Sequence, residues 1–491
     1  MADARMSQKI AVATVFVSAM FMNIMDITIV NVALPTIGRD FHIPPTAVDG
    51  VVIAYLVSLA VFIPASGWMG DHFGGKKVLL GAIAVFTLGS ALCGLAQNET
   101  QLVAFRIVQG AGGGMMAPVG MAMLYRVFPP AERVRTASII TIPTTMAPAI
   151  GPVLGGFLVT AITWRWVFFV NLPIGIAAFV FGALYLERSE KHDAGPLDVP
   201  GFVLGGAGLG LLMYGLSEGP LRSWSSPVVE AAFVVGAALL VVFVFIELRT
   251  KRPMVDLHLL RERLFRSTNI VLFLSMAAFL GMLYLIPLYF QDARGMSALQ
   301  SGLSTFPEAF GVMIGAQFAS RLIYPAIGPR RHITGGLLGV AACLLALTQV
   351  TVTTDLWWLR GLMFLVGFMM AQVMVPTQAA AFAQITPASM GRASTFFNTM
   401  RQVGSATGVA ILSTVLIAVG SAQGGGSGAH ASPDIAAYHM AFLVAALFAL
   451  AAVAFSLTIH DVDAAETIVP RVRSARRAAR AQVPLPEGST A

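Results

Sequence analysis

The chain has 491 residues, 57% hydrophobic and only 11% charged, with a mean hydropathy of +0.78 and a net charge of +7. Soluble globular chains carry about 25% charged residues, so this composition excludes a soluble protein and predicts an all-α polytopic membrane protein. Two cysteines, Cys93 and Cys343, lie far apart inside apolar runs and read as packing residues, not a disulfide. The eight histidines fall in loops, tails or helix ends, which argues against haem or a metal site in the bilayer.

Fourteen apolar runs follow one another, at 10–35, 47–68, 77–96, 101–125, 137–161, 166–187, 199–217, 228–247, 267–290, 299–320, 332–351, 357–384, 391–420 and 435–458. Each is long enough to be read as a helix crossing a hydrocarbon core of about 30 Å. The first is too long for a secretory signal and has no small-residue cleavage site. It carries Asp26 within Met25-Asp26-Ile27-Thr28-Ile29-Val30-Asn31. A carboxylate at that depth costs at least ~2.5 kcal/mol, so Asp26 is expected to serve a pathway; a structural Asp bonded to a neighbouring helix is the alternative. After the second run comes Gly67-Trp68-Met69-Gly70-Asp71-His72-Phe73-Gly74-Gly75-Lys76-Lys77. Its glycines allow a tight turn and close helix approach, and Asp71 can cap a helix or pair with a cation. Gly67, Asp71, Gly74, Lys76 and Lys77 therefore read as a latch between helices.

The fourth run holds Arg106, Gln109 and the glycines 110 and 112–114. Arg106 needs a carbonyl or carboxylate partner unless it snorkels to the interface, and the glycines let another helix pack closely. The fifth run, with Pro148, Gly151, Pro152, Gly155 and Gly156, predicts a kinked, smooth helix suited to a moving seam. Glu308 lies ~9 residues into the tenth run, close to mid-depth, beside Pro307. It is the second deep carboxylate; the alternative is a structural Glu paired with Arg401. The thirteenth run carries a polar stripe of Asn398, Arg401, Gln402, Gly404 and Gly408. The link at 248–266 reads as a surface amphipathic segment, and Gly424 to Gly428 as a flexible loop. The tail Arg471 to Arg480 reads as a solvated basic segment, or one touching anionic lipid.

Loop charge sets the expected orientation. Of 31 Lys and Arg, 24 lie in the loops and tails of one side and four on the other, with Arg106, Arg360 and Arg401 inside runs. The positive-inside rule then places both termini in the cytoplasm, and nucleic-acid binding is not needed to explain the basic balance. A shift of 254 residues superposes Gly74 on Gly328, Lys76 on Arg330, Lys77 on Arg331, Arg106 on Arg360 and Gly113 on Gly367. The expected organisation is an N-terminal six-helix bundle (1–190), two inserted helices with a linker (191–266), a C-terminal six-helix bundle (267–460) and a basic tail (461–491). Parallel repeats of this kind belong to transporters that alternate by rocking one half against the other around a midplane site. Asp26 has Leu280 at the same offset and Glu308 has Ala54, so the ionisable groups are not part of the repeat.

Together these stretches resemble the major facilitator superfamily, and within it the fourteen-helix drug:proton antiporters of the EmrB/QacA type. Asp26 to Pro35 looks like that family's first-helix motif, and Gly67 to Lys77 resembles the superfamily loop, with Gly75 where an Arg is usual. Arg106-x-x-Gln109-Gly110 matches the fourth-helix motif implicated in proton coupling. Gly151-Pro152-x-x-Gly155-Gly156 matches the antiporter motif of the fifth helix. Trp164-Arg165-Trp166, Asn171 and Pro173 are typical of the fourteen-helix group.

The resemblance implies a major facilitator fold in a bacterial cytoplasmic membrane, monomeric, driven by the proton gradient and without a cofactor. Asp26, Arg106 and Glu308 would couple protons; Asp26, Asn31, Gln109, Glu308, Asn398, Arg401 and Gln402 would line the substrate cavity. The expected activity is proton-coupled export of hydrophobic or cationic small molecules. Export of an endogenous lipid or secondary metabolite is the alternative within the class. An enzyme or scaffold has no metal cluster, nucleophile–His pair, phosphate loop or soluble module to support it.

Overall fold

The computed structural model describes residues 7–43, 45–187, 195–250, 253–423 and 435–468. The helices are α1 (Gln8–Phe41), α2 (Pro45–Phe73), α3 (Gly75–Leu95), α4 (Glu99–Val127), α5 (Arg133–Ala161), α6 (Trp166–Phe169), α7 (Asn171–Tyr185), α8 (Val199–Arg222), α9 (Pro227–Arg249), α10 (Arg263–Leu288), α11 (Ala298–Thr305), α12 (Pro307–Phe318), α13 (Tyr324–Leu347), α14 (Leu356–Ala381), α15 (Met390–Gln423) and α16 (Ile435–Ser456). No strand occurs among the described residues.

Each of the fourteen runs is helical. The sixth is divided into α6 and α7 at Val170, and the tenth into α11 and α12 at Phe306. The tenth and eleventh are set apart by Gly328, whose φ of 73° breaks the helix inside α13. Gly74 holds the equivalent place between α2 and α3 with φ 90°. Both angles lie where a Cβ is penalised, so the offset of 254 residues carries a backbone conformation as well as a residue pattern.

Helices α1 to α7 pack on one another, and α10 to α16 do the same with matching partnerships: α1–α5 with α10–α15, α2–α4 with α12–α14, α3–α7 with α13–α16. Small residues bring the axes together. A Cβ on Gly110 would fall 2.6 Å from the Tyr55 carbonyl of α2, and one on Gly112 2.5 Å from the Phe86 nitrogen of α3. Across the seam, α5 lies against α12 and α14, while α15 lies against α2 and α4. Helix α8 packs on both α2 and α15, and α9 rests on α8.

The link after α9 corrects the expected surface amphipathic segment. Its described part has only a 3-10 turn, Leu257–Arg261, and Met254 and Val255 are buried in the main core. Glu247 accepts from the Val255 nitrogen at 3.2 Å, and Asp256 caps the His258 nitrogen at 3.1 Å and pairs with Arg392 of α15 at 3.3 Å. These bonds hold the chain inward. The Gly424–Gly428 loop and the Arg471–Arg480 tail lie outside the described residues.

Candidate functional site

The loops between α2 and α3, α4 and α5, and α14 and α15 share one end of the bundle, which also carries most of the described basic residues. This end is called the basic end below. Two polar clusters stand out, one deep in the first half and one at the basic end.

The deep cluster is built around Asp26 on α1. Arg106 Nη1 donates to its Oδ2 at 2.5 Å, while Gln109 Nε2 and Asn171 Nδ2 donate to Oδ1 at 2.8 and 2.9 Å. Arg106 Nη1 also reaches Gln109 Oε1 at 2.8 Å, and its Nε donates to the Val51 carbonyl at 3.2 Å. Ser90 Oγ receives Gln109 and Asn171 and itself donates to the Phe168 carbonyl at 2.9 Å. The guanidinium lies 4.1 Å from the centre of the Tyr55 ring. Asp26, Arg106, Gln109, Asn171 and Ser90 are all fully buried. Five spans thus converge on one carboxylate, and its charge is matched by one guanidinium in a water-poor setting.

The local sequence explains the convergence. Asp26, Arg106 and Gln109 come from the quoted motifs, with Arg106 and Gln109 one turn apart on one face of α4. Gly89 on α3 lets α4 approach there: a Cβ would fall 2.7 Å from the Gln109 nitrogen. Gly155 on α5 lets α1 approach, since its Cβ would lie 2.9 Å from the Ile29 side chain, and Gly151 faces Thr28. Gly156 faces open space, and the Pro152 side chain lies outside the described residues.

Of the expected cavity residues, only Asp26 and Gln109 meet here, and in this conformation both are enclosed, not lining an open path. Asn31 is exposed, a turn and a half further along α1. Glu308 sits at the first turn of α12, 3% exposed, with Oε1 unbonded. The Glu308–Arg401 pair does not form: Arg401 Nη2 instead donates to Asn398 Oδ1 at 3.3 Å. Asn398 is buried and donates to Met121 Sδ across the seam at 3.6 Å, and Gln402 is half-buried. Arg360, the offset partner of Arg106, stacks on Trp357 at 4.8 Å and has no acidic partner among the described residues.

The second cluster closes the basic end. Arg126 at the end of α4 donates from Nη2 to Asp71 Oδ1 at 2.6 Å and from Nε across to the Pro387 carbonyl at 3.1 Å. Arg133 reaches the Phe382 and Ala383 carbonyls, and Tyr125 stacks on Phe382 at 4.6 Å. Gly67 and Gly391 face each other so closely that a Cβ on Gly67 would lie 2.8 Å from the Gly391 carbonyl oxygen. Ser394 donates to the Pro118 carbonyl at 2.8 Å. Lys76 does something different: its Nζ caps the Ala183 and Leu186 carbonyls at the end of α7, inside the first half. Lys77 is exposed.

Sequence reasoning missed Ser90, Tyr55 and Arg126 as members of these clusters, and named Asn171 without a role. Ser and Tyr in an apolar run carry no distinguishing pattern. Arg126 enters the sequence reading only as an orientation charge, although an Arg at the next-to-last position of its helix is placed to reach a neighbouring loop.

The family model described as Major Facilitator Superfamily matches residues 16–409. A multidrug resistance protein B homolog of Mycobacterium tuberculosis is 33% identical over 408 residues, covering 82% of this chain and 75% of the relative. A putative multidrug resistance protein MdtD of Serratia proteamaculans is 28% identical over 456 residues, covering 91% and 93%. Among solved structures, the human organic anion transporter MFSD10 (TETRAN) superposes with a TM-score of 0.63 at 15% identity, covering 90% of this chain and 99% of that one; it speaks for the fold alone. With the matched model spanning most of the helices and the packing repeated between the halves, the chain belongs to the major facilitator superfamily.

Proposed function

We propose that this chain is a proton-coupled antiporter that exports hydrophobic or cationic small molecules from a bacterial cytoplasm by alternating access. The observation that carries the reading is the enclosed Asp26–Arg106–Gln109 cluster, which has no counterpart at Leu280 and Arg360 in the second half. A carboxylate fully committed to an internal cation is a two-state device. Ionised, it holds Arg106 and closes α1 on α4. Protonated or occupied by a substrate cation, it frees Arg106 and loosens that joint. Relatives named for multidrug resistance support the substrate class.

In this reading the halves α1–α7 and α10–α16 rock against each other, with α8 and α9 inserted between them. The basic end faces the cytoplasm, with both termini inside. The Asp71–Arg126 cluster is the cytoplasmic latch, closed here, and Asn31, Glu308, Asn398, Arg401 and Gln402 face substrate as the halves move. The proton gradient is the energy source, with no cofactor, and the working unit is a monomer.

The test is substrate-triggered proton release in proteoliposomes across a panel of lipophilic cations and neutral amphiphiles, for wild type and Asp26→Asn. Release on adding a cation, lost in the variant, is expected. Release unchanged in both Asp26→Asn and Glu308→Gln would overturn the carboxylate mechanism. No response to any compound would move the assignment to a lipid or metabolite exporter.

A further inference from the structure

Beyond α16 the chain turns back under the bundle. Ile459 is fully buried, and Thr458 Oγ1 lies 2.8 Å from the Ser267 hydroxyl of α10. The 3-10 segment Asp461–Thr467 then crosses the basic end. Asp461 Oδ1 accepts from the Arg330 nitrogen at 2.8 Å, just past the break at Gly328 in α13, and so satisfies an N–H that a helix start leaves open. Ala464 and Thr467 are buried, at 0% and 2% exposure. Thr467 Oγ1 donates to the Ala464 carbonyl at 2.7 Å, so the buried Tyr324 hydroxyl is the donor in the 2.6 Å bond between Tyr324 and Thr467. These bonds fix the segment to the second half.

The same segment reaches the first half. It lies against the turn Pro130–Glu132, between α4 and α5. Ile468, the next residue, packs on an apolar cluster that joins Val134 and Ala137 of α5 to Val312, Tyr324 and Ala379 of the second half. Glu466 places a carboxylate near Arg133, which itself donates to the Phe382 and Ala383 carbonyls across the seam. The two ends of the crossing differ in kind. Buried hydrogen bonds hold it to the second half, whereas packing and an exposed charge hold it to the first, and these part more readily. At the offset of 254 residues Asp71 falls on Pro325 and Arg126 on Ala380, so neither member of that ion pair recurs. The crossing segment stands instead at the edge of the seam where α5 meets α14.

We propose that residues 461–468 are a strap that closes the basic end on this edge, as Asp71–Arg126 does on the other, and that its release from Pro130–Glu132 and α5 is a required step when the halves part. The strap belongs covalently to the second half. Any parting of α5 from α12 and α14 at this end therefore breaks its packing on the first half and leaves its bonds to Arg330 and Tyr324 intact. Its hold sets how often the basic end opens: a weaker strap raises the open population and a stronger one lowers it. The strap rests on the alternating-access reading above, and it gives that motion a second closure made by the segment after the last helix described.

The experiment follows maleimide labelling of a cysteine placed at Ser394, with the protein in mixed micelles and neither substrate nor proton gradient present. Ser394 meets Pro118 at the contact of α15 with α4, whereas the strap lies on α13, α14 and Pro130–Glu132. Its labelling thus reads the opening of the whole end and not a local uncovering. The full chain is compared with Tyr324→Phe, a chain ended after His460, a chain ended after Ile468, and Arg126→Ala. Labelling is expected to speed up about threefold in Tyr324→Phe, as for one net hydrogen bond. It is expected to speed up about tenfold or more in the chain ended after His460, as for two such bonds and their packing, and to stay unchanged in the chain ended after Ile468. The native Cys93 and Cys343, buried inside the two halves, stay unlabelled. Full-chain rates in both Tyr324→Phe and the chain ended after His460, with Arg126→Ala faster, would overturn the strap and leave alternating access standing. Cys93 or Cys343 labelling in step with Ser394 would mark unfolding and also overturn it. Equal acceleration in the two shortened chains would move the closure beyond Ile468, again against the strap. No acceleration in any variant, Arg126→Ala included, would fail the alternating-access reading and the strap with it.

Discussion

Replacing Asp26 by Asn keeps the shape of the side chain and removes its charge. Arg106 then remains fully buried, 4.1 Å from the Tyr55 ring, with Gln109 Oε1 and the Val51 carbonyl as its acceptors. The new amide has one oxygen where the carboxylate met three donors from Arg106, Gln109 and Asn171, so at least one donor faces an N–H. Breaking a buried ion pair by removing one partner costs about 3–5 kcal/mol, because the other charge is left uncompensated. Removing both charges is milder, since the desolvation of Arg106 disappears with it. The expected order of stability is therefore wild type above Asp26→Asn/Arg106→Gln above Asp26→Asn alone, with a coupling energy well beyond the ~0.5 kcal/mol of independent sites. Equilibrium unfolding in mixed detergent micelles, run as a double-mutant cycle, reads it directly. Asp26→Asn as stable as wild type, or additive with Arg106→Gln, would refute the account of the cluster as a charge-balanced unit.

Three further outcomes follow from the geometry. Gly74→Ala, at φ 90°, is expected to lose about 1–2 kcal/mol for a forced left-handed residue, against no loss for Gly361→Ala in open space; thermal unfolding of the two purified variants checks this. Arg126→Ala removes a charge-assisted bond to Asp71 and the cross-seam bond to Pro387. With such bonds worth ~1.5–3 kcal/mol, maleimide labelling of a cysteine placed at Ser394 is expected to speed up about tenfold or more, and unchanged labelling would remove Asp71–Arg126 from the latch. Glu308→Gln and Arg401→Gln should be additive in stability to within about 0.5 kcal/mol, because the two side chains do not meet; a larger coupling in the same unfolding assay would restore the ion pair.

Charges inside apolar runs were legible because the bilayer makes them costly: Asp26, Arg106 and Glu308 stand out by that rule alone. Which of them touch was not legible. Asp26 and Arg106 are 80 residues apart and meet because α1 and α4 pack in the same half, whereas Glu308 and Arg401 share a half and still miss each other. Ser90 and Tyr55 were hidden, and Asn171 was visible without its role, because a single hydroxyl or amide in a membrane helix costs too little to mark itself. The turns at Gly74 and Gly328 were visible as matched glycines, and their left-handed backbone supplied the reason for the match. The linker was misread because Met254, Val255 and Leu257 fit a surface helix as well as a buried strap; the deciding bonds from Glu247 and to Arg392 are tertiary.

Helix α8 touches α2 and α15 together. Gly210 sits by Val61 of α2, Leu209 and Met213 share a buried cluster with Ala60 and Ala410, and Trp224 donates to Thr414 of α15 at 2.8 Å. The molecule therefore has a spine, as a book does. One edge of the contact between halves is bound over by this helix and shielded from lipid, while the other, where α5 meets α12 and α14, has no such cover among the described helices. Under the proposed export, a compound dissolved in lipid would meet the contact between halves first at α5, on the edge that α8 leaves open.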